Sequence, residues 1–243
     1  MISTLLMLAF RGILNRRRTL LLAATGALLV VIAVVGRLTD PSESDAVAFT
    51  GRLLADMGLG VILPLVAVIV GTGVFGSELD DGTIVYVLAK PVPRVVVVAV
   101  RAVVAWLVVV ALVAVPMLLA GIIGTGGDPA LGIAYAVAAT LGAAEYVAVF
   151  IALSLVTGRA LVIGLAYVVV WEGVVAGLFA GTRPLSVRQH ALAVAEALGG
   201  GNAAGIAEIA LGVAIGAVII VTAGAAVLAV RRLETVELRG ETT

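Results

Sequence analysis

The segment Ser77-Glu78-Leu79-Asp80-Asp81-Gly82-Thr83, running on through apolar residues 84–89 to Lys90-Pro91-Val92-Pro93-Arg94, is an island of charge between two long apolar runs. The run before it, 58–76, has no charged side chain, and the run after it, 95–124, has only Arg101. Lys90 is the one lysine among 243 residues. A hydrocarbon core of ~30 Å takes about 20 apolar residues to cross as a helix. The island therefore reads as a loop between two membrane spans.

Working outward, six segments qualify as spans: 19–36, 58–76, 95–124, 131–156, 160–181 and 209–230. The third is long enough to tilt, with Pro116 as a candidate kink. The fourth and fifth are joined only by Thr157-Gly158-Arg159, which makes them a tight helical hairpin. The expected fold is an all-α polytopic membrane protein forming a single transmembrane domain over 1–243. Composition agrees, because 63% of the residues are hydrophobic and only 12% charged, against roughly 25% charged in a soluble domain. Six spans leave no room for a separate soluble catalytic domain.

Lysine and arginine set the orientation. With the N-terminus inside, the cytoplasmic segments hold Arg11, Arg16, Arg17, Arg18, Lys90, Arg94, Arg101, Arg159, Arg231, Arg232 and Arg239, and the outer ones hold Arg37, Arg52, Arg183 and Arg188. Both termini, including the tail 231–243, are thus expected in the cytoplasm. The start, 1–18, is a poor secretory signal, since its apolar residues precede the basic cluster Arg16-Arg17-Arg18. It reads as an interfacial amphipathic helix. Arg101 is expected to snorkel to the cytoplasmic interface.

The outer segment 182–208 is too long for a turn. Val187, Ala191, Val194, Ala195 and Leu198 form the apolar face of a short helix ended by Gly199-Gly200-Gly201, lying flat or dipping in as a re-entrant cap. Small residues recur at Gly71-Thr72-Gly73, Gly132, Gly142-Ala143-Ala144, Gly173, Gly177 and Gly212-x-x-x-Gly216, and packing within the protomer is the expected use.

Function classes narrow from what is scarce. Without cysteine there are no disulfides or thiolate metal sites, the single histidine, His190, argues against a histidine-based centre, and zero net charge gives no pointer to nucleic acid. A P-loop requires glycine immediately before its lysine, and Lys90 follows Ala89. An ATP-driven process therefore needs its ATPase on another polypeptide. Glu145 and Glu172 lie near the middle of the fourth and fifth spans, where an acid costs ~2.5–3.5 kcal/mol to insert. Two readings stay open. The pair, with Trp171, lines a substrate path or proton site, or each acid bonds between helices to Tyr146, Tyr167, Thr140 or a backbone carbonyl.

In the charged loop, Pro91 stops a helix that enters at the acids. The pattern Glu78-x-x-x-Gly82-Thr83-Ile84-x-x-x-Leu88-Ala89-x-Pro91-Val92-x-Arg94, followed by basic Arg101, resembles the signature loop of ABC type-2 transporter permeases. The family more often has lysine where Arg101 stands. The resemblance extends in outline to the whole chain. It implies that 77–94 is a coupling helix docking on a separate cytoplasmic ATP-binding cassette subunit, through Glu78, Asp81, Gly82, Thr83, Leu88, Pro91 and Arg94. It further implies a second permease copy or paralogue, and ATP and Mg held by the partner with no cofactor on this chain. A permease subunit of an exporter with apolar or amphipathic cargo is the leading expectation. A gradient-driven transporter using Glu145 and Glu172, or a non-transporting scaffold, is the alternative. Alanine-, valine- and arginine-rich usage points to a bacterial plasma membrane.

Overall fold

The computed structural model describes residues 16–39, 43–80, 93–199, 203 and 207–240, and all regular structure among them is helical. Helix α1 is Arg16–Thr39. Helix α2 begins at Glu43–Arg52, passes through a π-helical stretch, Leu53–Ile62, and continues as Leu63–Asp80. Helix α3 runs Arg94–Val109, π-helical Val110–Ala114, then Val115–Gly124. Helix α4 is Ala130–Val156, and α5 combines Ala160–Ala166, π-helical Tyr167–Val175 and Ala176–Leu178. A 3-10 turn, Ala180–Leu185, leads into α6, Val187–Gly199, and α7 is Leu211–Gly240.

Six of these, all but α6, are long and apolar enough to cross a membrane. The second is longer than its apolar run suggests, because the acidic residues from Asp45 onward are already helical. Most of the residues expected in an interfacial helix at 1–18, and the loop residues Asp81, Gly82, Thr83, Leu88 and Pro91, lie outside the described residues.

Helices α2 and α4 form the centre, and α1, α5 and α7 leave most of their surfaces uncovered. Glycine sets how closely the central helices approach. A Cβ on Gly121 would fall 2.3 Å from the Gly132 Cα, so α3 and α4 touch backbone to backbone. At Gly71 it would fall 2.8 Å from the Phe150 Cβ, and at Gly164 2.4 Å from a Val68 methyl. Not every small residue serves this way. Among the described residues nothing lies within 4 Å of a Cβ at Gly177, Gly212 or Gly216, so the expected packing of these glycines inside the protomer is not found there.

Pro116 has no N–H to give the Leu112 carbonyl, and α3 absorbs it with the π-helical turn just before, Val115 N–H donating back to Val110 O. Helix α1 closes over the Leu112 carbonyl, and Gly26 allows it, since a Cβ there would sit 2.6 Å from that oxygen. A freed carbonyl is thus covered by protein, the condition for irregular backbone at membrane depth. The α3–α4 turn closes with Gly127 N–H donating to Ile122 O (2.9 Å) and Gly126 N–H to Ile123 O (3.1 Å), a Schellman arrangement. Gly126 and Gly127 take φ of 76° and 112° there, a region costly for other residues. Asp128 then accepts from Ala130 N–H at 2.9 Å to start α4.

Candidate functional site

Helix α6 does not lie on the surface. It runs antiparallel to the first half of α4, with Ala191 against Gly142 and Gly199 against Ala134. Val187 and every residue from Gln189 to Ala195 are buried. Its first turn reaches Glu145, about 22 Å along α4 from Ala130 at 1.5 Å per residue. Of the expected apolar face, Val187, Ala191, Val194 and Ala195 are buried, but Leu198 is exposed, although Gly199 beside it still packs on Ala134.

Both membrane-depth acids meet the start of this helix. Glu145 is fully buried, with the His190 Nδ1 3.0 Å from each of its carboxylate oxygens. The other ring nitrogen, Nε2, lies 3.0 Å from the Pro184 carbonyl oxygen. The Glu172 Oε1 accepts from Val187 N–H at 2.9 Å and from the Tyr167 hydroxyl at 3.1 Å. Its Oε2 accepts from the Ser186 hydroxyl at 2.5 Å. Ser186 in turn caps α6, its Oγ accepting from Gln189 N–H at 3.3 Å, as a Ser-x-x-Gln capping sequence predicts. A buried carboxylate is thus set on the positive end of a helix, where exposed N–H groups and the helix dipole favour an anion.

The π-helical stretch of α5 helps build this arrangement. Tyr167 and Glu172 are five residues apart, which places them on one face when the turn is widened to i→i+5 and well apart in an α-helix. Aromatic rings wall the cluster, with Tyr146 stacked on Phe150 at 5.8 Å and Phe150 edge-on to Tyr167 at 6.2 Å. Trp171 donates from its indole N–H to Leu185 O at 3.4 Å, a long bond to the turn before α6. Further out, Arg188 pairs with Asp56 of α2 at 2.8 Å, Arg183 pairs with Glu208, and Glu196 accepts from Ala207 N–H at 3.2 Å.

The structure therefore joins Glu145 and Glu172, and brings in His190 and Ser186, which the sequence reading did not single out as site residues. Tyr167 is a partner of Glu172 as one of the two readings had it; Thr140 instead bonds Ala136 O and receives the Trp106 indole N–H through its own carbonyl. The available signal for His190 was its place one residue after the capping sequence, in the only long segment that follows both acidic spans.

At the other end of the bundle the charged loop is flanked by a clamp. Arg101 is held by the neighbouring helix: its Nη1 donates to Val74 O, three residues before the loop, at 2.9 Å, and its guanidinium carbon is 4.5 Å from the Phe75 ring centroid. Arg94 is half-buried in the first turn of α3. The Glu78 side chain is outside the described residues.

No curated protein matches this chain. The family model of ABC-2 family transporter proteins matches residues 14–182, a stretch that holds the charged loop, both acids and the first five spanning helices. The chain thus belongs to the ABC-2 transporter permease family and is a multi-pass membrane component of a transporter.

Proposed function

We propose that the chain is the permease subunit of an ATP-driven exporter in a bacterial plasma membrane, with both termini cytoplasmic. Loop 77–94 docks on a separate ATP-binding cassette subunit, which holds the ATP and Mg, and a second permease copy or paralogue completes the path. Glu78, Asp81, Gly82, Thr83, Leu88, Pro91 and Arg94 make the coupling contact. The observation that carries this reading is the charged loop inside the family match, between α2 and α3. The Arg101 clamp supports it, because α2 and α3 are tied to each other one or two turns from the loop. A push on the loop then moves two helices together, one of them the central α2. The permease contributes a surface whose affinity for cargo differs between two states.

The aliphatic character of spans two and five, near Pro64, Phe75, Trp171 and Phe179, favours an apolar or amphipathic cargo. Glu145 and Glu172 bond to α6 and its cap, which favours their assignment to the frame of the path over a transported-ion site. Purification with associated subunits in lipid nanodiscs tests the reading. Cargo-stimulated ATP hydrolysis, lost on Glu78→Arg or Gly82→Arg with insertion intact, is expected. Transport that ignores ATP and stops when the ion gradient is collapsed would overturn it.

A further inference from the structure

The His190 ring has hydrogen-bond acceptors on both sides. A carbonyl oxygen has no proton to give, so the Nε2 facing Pro184 O carries one. On the other side the two Glu145 oxygens are equidistant from Nδ1, at 3.0 Å each. That is the geometry of one N–H forked between the oxygens of an anion. A carboxylic acid donating to Nδ1 would bring one oxygen closer than the other. We infer that His190 and Glu145 form a buried proton-binding site, an imidazolium–carboxylate pair whose proton fastens α6 into the bundle.

The surroundings are consistent with a retained proton. Facing His190 are Glu145 from α4 and Glu172 from α5, and Tyr146 and Tyr167 stand beside those acids. Arg183 in the preceding turn is paired with Glu208, and Arg188 on α6 with Asp56, so the neighbouring cations are matched by acids of their own. Burial works against the imidazolium, but the hydrogen bond and charge of Glu145, the Pro184 carbonyl and the charge of Glu172 outweigh it, and the pKa rises above the ordinary 6.5. Because the folded value is the higher one, the attachment is at full strength below pH 6.5 and is lost as pH rises through the folded value. Removing the proton leaves a ring lone pair opposite an acceptor and a buried carboxylate without its counter-charge. The site owes nothing to ATP or to the identity of the cargo, and goes beyond the export assignment.

His190 is the only histidine in the chain, so the full-length protein labelled with 15N-histidine in nanodiscs gives a single imidazole to follow by NMR. Both nitrogens protonated at pH 6.5, with a midpoint above that value, is the expected result. Glu145→Gln should lower the midpoint by about one pH unit or more, as burial then dominates. A neutral tautomer at pH 6.5, or a midpoint indifferent to Glu145→Gln, overturns the site. The chain has no native cysteine, so attachment is read separately from maleimide labelling of Ala195→Cys, buried, against Leu198→Cys, exposed. The readout is the ratio of the two labelling rates, with the same pair in the Glu145→Gln background correcting for the difference in thiol pKa. It should rise about tenfold across the His190 midpoint, and a constant ratio would overturn the fastening role while the wild-type titration still judges the proton site.

Discussion

Helices α2 and α7 are about equally apolar, yet two-thirds of the most apolar stretch of α2 is buried (67%) and little of that of α7 is (11%). In water such a difference would follow from hydrophobicity, but lipid chains are as apolar as leucine and give no contrast between an inward and an outward face. The difference lies in what each helix has to hold on with. Helix α2 has Gly71 against Phe150, Val68 against Gly164 and Asp56 paired with Arg188. In α7 no described residue lies within 4 Å of a Cβ built at Gly212, Gly216 or Gly224. Packing on more than one side, with tight glycine contacts and polar ties, and not apolarity, places α2 at the centre and α7, which lies along α4 on one face, at the periphery.

That comparison can be broken at its polar ties first. Glu145→Ala takes the partner from the buried His190, which must then stay an uncompensated cation or give up its proton, and about 3–5 kcal/mol of destabilisation is expected, read from denaturant or thermal unfolding in detergent. The double substitution of Glu145 and His190 by leucine should recover much of the loss. A single-mutant effect near zero would mean that polar ties do not hold the centre. Wild-type stability should also fall as pH is raised through the elevated His190 value, and the Glu145→Ala protein should lack that step. Next come the glycine contacts. Gly121→Leu forces a side chain into the Gly132 backbone, and overpacking of this kind is worth ~1–3 kcal/mol or more. Gly216→Leu, a like change on the uncovered face of α7, should stay within about 0.5 kcal/mol. If the two glycine variants behave alike, close approach is not what distinguishes α2 and α4 from α7. A similarly small effect is expected at Arg188→Ala, whose exposed pairing with Asp56 is worth about 0–1 kcal/mol.

Glu145 and Glu172 were visible in the sequence because an acid inside an apolar span needs a reason wherever it sits. Their partners were harder to see. His190 is 45 residues beyond Glu145, and a lone histidine in a connecting segment reads as unremarkable. Tyr167 and Glu172 share a face through a π-helical stretch that apolar periodicity does not signal, because every candidate face of α5 is apolar. The helical nature of 187–199 was legible from its spacing and its glycine stop. Its depth was not, since an apolar face says that a helix is covered without saying by what. Arg101 shows the same limit in reverse. Its long side chain is compatible with an interface, and the Val74 carbonyl and Phe75 ring that hold it belong to another helix.

The sequence by itself determined the all-helical architecture, the six helices long and apolar enough to span a membrane, and the membership of the ABC-2 permease family. Transfer into lipid and termination by proline or glycine are properties of a segment's own residues, and they can be read without neighbours. Only the tertiary structure decided which apolar helices occupy the centre, and that α6 enters the bundle to place His190 on Glu145 and its own N-terminus on Glu172. Those outcomes depend on distances between residues far apart in the chain. At membrane depth, a charge becomes tolerable only when such a distance closes to about 3 Å.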